Sequence, residues 1–84
     1  MNNVIMRRVA VTADYQPLAD RKLVASVTLA SLPTNGGTVY FRGDDGSDVP
    51  WVPGEWHDFW SVNLNEIVIK GTPGDVVTVV GGTW

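Results

Sequence analysis

KLVASVTLAS, residues 22–31, is the stretch that decides the fold class, because its composition suits a helix while its spacing suits a strand. Its larger apolar residues recur at every second position and alternate with small or polar ones, so one face carries Leu23, Ala25, Val27 and Leu29. Valine and threonine recur through the stretch, and β-branched side chains favour strands over helices. We therefore predict a strand that begins near Lys22.

The same period of two recurs elsewhere, and turn residues separate the runs about every ten positions. Residues 35–37 read Asn-Gly-Gly, and Pro-Gly pairs occur at 53–54 and 73–74. Such spacing is typical of an all-β sandwich or barrel. We predict one all-β domain over residues 1–84, a small antiparallel sandwich or barrel of about six to seven short strands.

Four local predictions complete this description. Residues 1–8 form an N-terminal arm, and residues 13–22 form a long loop. Residues 63–66 form a short turn. Residues 75–82, DVVTVVGG, are β-branched throughout, so we expect them to be buried on both faces.

Composition excludes several classes of function. The chain has 84 residues, a net charge of -3 and no cysteine, which rules out disulfides and leaves a structural zinc site without ligands. Its six basic residues are scattered, which disfavours nucleic acid. No apolar run approaches the ~20 residues of a membrane span, and the N-terminus lacks the order of a signal peptide. We expect a product of the cytoplasm that is stabilised by oligomerisation or by a partner.

Candidate catalytic residues cluster around the one histidine. His57, Asp58 and Ser61 suggest a hydrolytic triad, but no nucleophile elbow accompanies them, and His57 is predicted to be an exposed loop residue. Glu55 and Asp58 suggest a glycosidase pair, although a domain this small rarely builds the cleft that such a pair needs. We expect a protein without enzymatic activity and without a cofactor.

The acidic turn GDDGSD, residues 43–48, raises the question of calcium. Asp44, Asp45 and Asp48 lie close together, but the ligand spacing of an EF-hand loop is absent. A polar hairpin loop is the simpler interpretation, and we predict no metal site.

Tryptophan carries the strongest functional signal, since WVPGEWHDFW (residues 51–60) holds three of the four tryptophans. Trp60 alternates with Val62 and Leu64 and is assigned to the core. Trp56, beside the Pro-Gly turn, and Trp84 are predicted to contact a partner, because Trp is enriched at interfaces. Trp51 either closes the end of the domain or contacts the same partner.

The C-terminal half, residues 49–84, resembles small accessory proteins of tailed bacteriophages. The resemblance lies in a PGE turn, a VNLNEI step, VIKGTPGD and a final VVTVVGG. Asn63 stands where the pattern usually has Asp, and EWHDFW is an insertion. The resemblance implies a β domain that decorates or cements a capsid, or a head fibre, and it implies no catalytic residues.

From this resemblance we expect a structural virion protein that binds the major capsid protein, stabilises the assembled capsid and forms homotrimers. The interface residues would be Trp51, Trp56 and Trp84, with Arg7 and Arg8 meeting acidic capsid surface. The alternative is a carbohydrate-binding or host-adhesion module that uses Trp51, Trp56 and His57 as a platform.

Overall fold

Alternating apolar residues give this chain two sheets that share one interior. The structure, a computed structural model, describes residues 3–83. Within them it has one 3-10 turn, Leu64–Glu66, and eight strands: β1 (Val4–Ala10), β2 (Gln16–Pro17), β3 (Val24–Ser31), β4 (Val39–Arg42), β5 (Val49–Trp51), β6 (Trp56–Asn63), β7 (Val68–Lys70) and β8 (Val76–Gly82). The predicted all-β class is confirmed, and so is the turn predicted at 63–66.

The strands form two four-stranded antiparallel sheets packed as a sandwich. Sheet A has the order β1-β8-β3-β6 and sheet B the order β2-β7-β4-β5. The strand number exceeds the six to seven predicted because β2 and β5 contain only two and three residues. Strand β2 lies inside the predicted loop 13–22, where the sequence has no alternation long enough to indicate it.

The interior is filled by the inward side chains of both sheets. Strand β3 buries Ala25, Val27 and Leu29, as its alternation predicts. The expectation that residues 75–82 are buried on both faces is wrong. Val77 and Val79 of β8 are buried, but Val80 is 46% exposed. Strand β8 is central in its sheet, yet no second layer of the described residues covers its other side.

The first strand corrects another prediction. Val4–Ala10 pair with β8 over seven consecutive positions, from Val4 with Gly82 to Ala10 with Val76. Residues 4–8 therefore belong to the edge of sheet A and do not form a separate arm. The first two residues of the predicted arm lie outside the described residues.

The turns follow their sequence signals. Gly54 and Gly74, each the second residue of a Pro-Gly pair, have φ angles of 88° and 100°. The Glu55 N–H donates to the carbonyl of Val52 at 3.0 Å, which closes a four-residue turn with the Pro-Gly pair at its centre, as in a type II turn. Because this turn joins β5 to β6, it carries the chain from sheet B back to sheet A.

A side-chain clamp fastens the 32–37 loop to the start of β8. The Asn35 side chain accepts a hydrogen bond from the Val76 N–H and donates one to the Val76 carbonyl, both at 2.9 Å. Asp75, only 8% exposed, accepts hydrogen bonds from the N–H groups of Gly36 and Gly37. The Asn-Gly-Gly segment thus serves β8 as a hydrogen-bonding partner, beyond the turn expected from its sequence.

Candidate docking surface

The side of sheet A that faces away from the sandwich is an uncovered sheet face, which we call the outer face. Alternation and register place the following positions on it: Val4, Met6, Arg8 and Ala10 of β1; Val76, Thr78, Val80 and Gly82 of β8; Val24, Ser26, Thr28 and Ala30 of β3; Trp56, Asp58 and Trp60 of β6. Arg8 and Asp58 are the charged residues of this set. A strand with one solvated side normally alternates apolar side chains toward the core with polar side chains toward water. Two charged residues among these fifteen are few for a solvated sheet face.

Large apolar side chains on this face are open to solvent. Met6 is 74% exposed, Trp60 73%, Val4 71% and Trp56 59%. These four residues lie on the edge strands β1 and β6. Val80 lies between the two edges, on β8, where it pairs with Met6 on one side and Thr28 on the other. Exposed apolar patches of several hundred Å² on small proteins mark interaction sites.

The register sets the two charges on opposite edges of the face. Arg8 of β1 lies in one cross-strand row with Thr78, Ala30 and Trp56. Asp58 of β6 lies in the next row, where it is paired with Thr28, whose hydroxyl donates to its carboxylate. Three strand spacings, about 14 Å, separate the two edge strands. The face therefore has one basic edge, one acidic edge and an apolar or small-residue centre.

A β-bulge in β6 turns Trp60 outward. Strand β3 pairs Val27 with Phe59 and Ala25 with Val62, so both Trp60 and Ser61 lie opposite the single residue Ser26. Ser61 takes a φ of 51° at this point. The extra residue shifts the alternation by one position, which lets both Phe59 and Val62 pack against the core.

The assignment of Trp60 to the core is consequently wrong. It assumed an unbroken alternation through Trp60, Val62 and Leu64, and the bulge lies within that run. Val62 is partly buried and Leu64 fully buried, as expected, but Trp60 is on the other side.

Of the residues predicted to contact a partner, the structure gathers only some on the outer face. Trp56 and Arg8 lie on it. Arg7, paired with Val79, points to the opposite side of β1, so the two arginines do not form one basic surface. Trp84 lies outside the described residues.

The fifth of these residues, Trp51, is a core residue. It is 4% exposed, and its ring stacks on Phe41 with centroids 3.7 Å apart. The sequence left two roles open for Trp51, closing the end of the domain or contacting a partner. The structure shows that Trp51 packs within the domain. Trp51, Trp56 and His57 consequently do not form the predicted carbohydrate platform, because Trp51 is buried and Trp56 points to the opposite side of β6 from His57.

His57 lies on strand β6, and not in a loop as predicted, although it is exposed as expected. Its Nε2 hydrogen-bonds the Glu55 carboxylate at 2.7 Å, and its ring meets Trp51 edge-on. This hydrogen bond, and then the N–H of Val52, hold the pKa of Glu55 below its usual value. His57 thus helps to fasten the turn between the sheets.

The proposed catalytic residues do not converge. Asp58 lies on the outer face, beside Thr28, whereas His57 points to the inner side of the same strand. Ser61 occupies the bulge, where its N–H donates to Ser26 Oγ at 3.1 Å. The triad drawn from the sequence therefore has no shared reaction centre.

The acidic turn is organised by neighbouring side chains. Asp48 accepts hydrogen bonds from Arg42 Nε at 2.7 Å and from the Tyr15 hydroxyl, which together lower its pKa. Asp45 accepts the N–H of Ser47, which lowers its pKa as well. Across residues 3–83, no three histidine or acidic side chains are grouped so that they could hold a metal ion.

A cavity of about 770 Å³ lies on the side of the sandwich between β6 and the acidic turn. Phe59, Val62 and Ile67 line it together with polar groups. Among these, Asn63 is already engaged, since its Oδ1 accepts the N–H groups of Leu23 and Asn65. The cavity assembles no set of catalytic groups, and the outer face remains the candidate site.

No protein-family model matches the chain, and comparison with curated proteins and with solved structures finds no match either. In the part of the chain that the structure describes, none of the helical segments has the length and apolarity of a membrane span. The outer face is thus assigned from the geometry of this chain alone.

Sequence reasoning missed the large apolar residues of the outer face other than Trp56, among them Met6, Trp60 and Val80. Met6 was assigned to an arm, and Val80 to a strand buried on both faces. The alternation in residues 22–31 already placed Ser26 and Thr28 opposite the core. The site could have been located by working out which residues of the neighbouring strands lie on the same side of the sheet as Ser26 and Thr28.

Proposed function

We propose that the protein is a non-enzymatic structural protein of the virion that binds the assembled capsid of a tailed bacteriophage, as a decoration or cement protein. The observation that carries this proposal is the outer face of sheet A. It is poor in charge and rich in exposed large apolar side chains, including Trp56 and Trp60. These are the properties of a surface that is buried against another protein.

A protein of this kind would act by mass action. If the outer face contacts neighbouring subunits of the closed shell, it binds the assembled state and not the free capsid protein. Binding to one state alone stabilises that state by an amount that grows with the concentration of the binder relative to its Kd. The proposed partner is therefore the major capsid protein in its assembled form.

Co-sedimentation with assembled phage heads and with unassembled capsid protein tests this function. We expect the protein to pellet with the heads and to leave the unassembled protein in the supernatant. Trp60→Ser should weaken attachment at least about tenfold, because Trp is the residue type most enriched at interface hot spots. Val52→Ser is the matched control, since Val52 is also exposed but lies in the turn between the sheets. Failure of the native protein to attach to any assembled head would contradict the proposal.

A carbohydrate-binding function is the second candidate, and one observation favours it. Trp56 and Trp60 lie on the same side of β6, four residues or about 13 Å apart, which suits two rings that stack on one extended glycan. Titration of tryptophan fluorescence with host polysaccharides tests it. A saturable change that Trp56→Ser and Trp60→Ser both abolish would favour this function over capsid binding.

A further inference from the structure

We infer that the free protein is a dimer in which two copies cover each other's outer face of sheet A, and that attachment to a shell exchanges this contact for one with the capsid. The inference rests on the proposed function in naming the outer face as the docking surface. The pairing itself is a property of the free protein and is measured without a shell.

The exposed area is sufficient for such a pair. Val4, Met6, Val80, Trp56 and Trp60 are between 46% and 74% exposed. A large aromatic side chain offers about 150–250 Å² when fully exposed, and valine and methionine offer somewhat less. These five side chains then present roughly 600 Å² per copy, and two copies would bury on the order of 1,200 Å², which reaches the range of specific interfaces.

The positions of the two charged residues make the outer face complementary to the outer face of a second copy. Arg8 stands on one edge strand of the outer face and Asp58 on the other. A two-fold axis parallel to the strands and midway between the two faces sets β1 of one copy over β6 of the other. Arg8 then lies over Trp56 of the second copy. Asp58 of the second copy is two residues further along the strand, a distance of about 7 Å. An arginine side chain spans that distance, and the symmetry produces the contact twice.

Pairing through the strand edges is disfavoured by comparison. Strand β1 carries Arg7 and Arg8 in succession, and antiparallel pairing of two β1 strands centred on either residue would set like charges opposite each other. Strand β6 is interrupted by its bulge. Charged residues and bulges are the devices by which edge strands resist edge-to-edge association. Within sheet A, the face is therefore better suited to self-association than either edge.

A face-to-face pair also differs from the trimer predicted from the sequence. In a two-fold contact the same patch serves both copies, whereas a three-fold ring needs a second, complementary patch on each copy. The outer face carries both charged residues and the apolar side chains on a single surface, so one patch can be complementary to itself, as a two-fold contact requires. Since self-contact and capsid contact would use the same face, the rate of attachment to shells should rise less than in proportion to the protein concentration, because a growing share of the protein is dimeric.

Sedimentation velocity of the protein alone, from roughly 1 µM to 1 mM, tests the inference. We expect a reversible monomer–dimer equilibrium. Trp60→Ser and Arg8→Asp should each raise the dimer Kd at least about tenfold, while Val52→Ser should leave it unchanged. A monomer at every concentration, or a trimer, would overturn the inference.

Exchange of the two charges tests the two-fold geometry. Arg8→Asp combined with Asp58→Arg should restore the dimer that Arg8→Asp loses, because each changed side chain meets its complement in the second copy. Within one copy the two residues are about 16 Å apart, three strand spacings across the sheet and two residues along it, so rescue would not come from an internal ion pair. If the dimer Kd of the double variant is as high as that of Arg8→Asp alone, the arrangement is contradicted. If Asp58→Arg prevents folding, the dimer Kd values of Trp60→Ser and Arg8→Asp test the inference instead.

The two proposals can fail separately. A dimer that does not attach to assembled heads would remove the function and keep the pairing. A strict monomer that attaches to heads would do the reverse.

Discussion

Ser61 donates its backbone N–H to Ser26 Oγ at 3.1 Å, and this contact fastens the bulge that points Trp60 out of the domain. The two residues are 35 positions apart in the chain. The bulge holds Ser61 at a φ of 51°, a region that side chains with a Cβ enter at a cost. A local strain in β6 thus accompanies the exposure of a large apolar ring on the docking surface.

The strain at Ser61 can be measured by substitution. Ser61→Gly should keep or raise the free energy of unfolding, because glycine adopts a positive φ without steric cost. Ser61→Val should lower it by about 1–3 kcal/mol, because a β-branched residue is an outlier there. Urea unfolding of the two variants gives the comparison, and equal stability for both would show that the bulge has relaxed to an ordinary strand.

Gly81 should be the least replaceable glycine of sheet A. A Cβ built on it would lie 2.0 Å from the Ser26 carbonyl oxygen and 2.7 Å from Val27 Cα. Backbone atoms of a central strand cannot move aside, so Gly81→Ala should cost at least about 3 kcal/mol or prevent folding. Gly43→Ala, which would meet no atom within 4 Å, is the control and should change stability by less than about 0.5 kcal/mol. Thermal unfolding of both variants checks this, and similar midpoints would refute it.

The Asn35 clamp should contribute measurably to stability. Asn35→Ala removes both hydrogen bonds to Val76 and one to Ser31 Oγ, in a partly buried setting. Each lost bond costs about 0.5–1.5 kcal/mol, so we expect a loss of about 2–3 kcal/mol in total. Thr34→Ala, at the exposed neighbouring position, is the control. Denaturant titration measures both, and a loss below about 0.5 kcal/mol for Asn35→Ala would mean that water replaces the clamp.

Stability should fall in acid partly through Glu55. The hydrogen bond from His57 keeps the pKa of Glu55 below its usual value, so its contribution is present above about pH 4.3 and is lost as the pH falls through the lowered pKa. Asp45 and Asp48 have lowered pKa values and act in the same direction.

Glu55→Gln should therefore show a smaller drop in unfolding midpoint than the native protein between about pH 5 and about pH 3. Glu66→Gln removes one charge away from His57 and controls for net charge. A pH dependence of Glu55→Gln as steep as that of the native protein would assign the acid sensitivity elsewhere.

Several elements of the fold were predictable because their causes are local. The alternation in residues 22–31 gave strand β3, and the Pro-Gly pairs gave turns whose glycines have a positive φ. The two-residue β2 was not predictable, since its pairing with β7 depends on a strand some fifty positions away.

The candidate site was only partly predictable for the same reason. Trp56 and Arg8 were identified, whereas Trp60 was assigned to the core and Trp51 was left between two roles. The wrong assignment of Trp60 follows from the bulge, which shifts the alternation at one point of β6. Period two assigns residues to two faces, but a single inserted residue reverses every assignment beyond it.

The all-β class, the main turns and the absence of disulfides follow from side-chain chemistry and from near neighbours in the chain. Which side of sheet A remains uncovered, and which tryptophan is buried, depends on how the two sheets pack together. Alternation defines two faces of a strand, and the packing of a second sheet on one of them leaves the other, with Trp56 and Trp60, open to a partner.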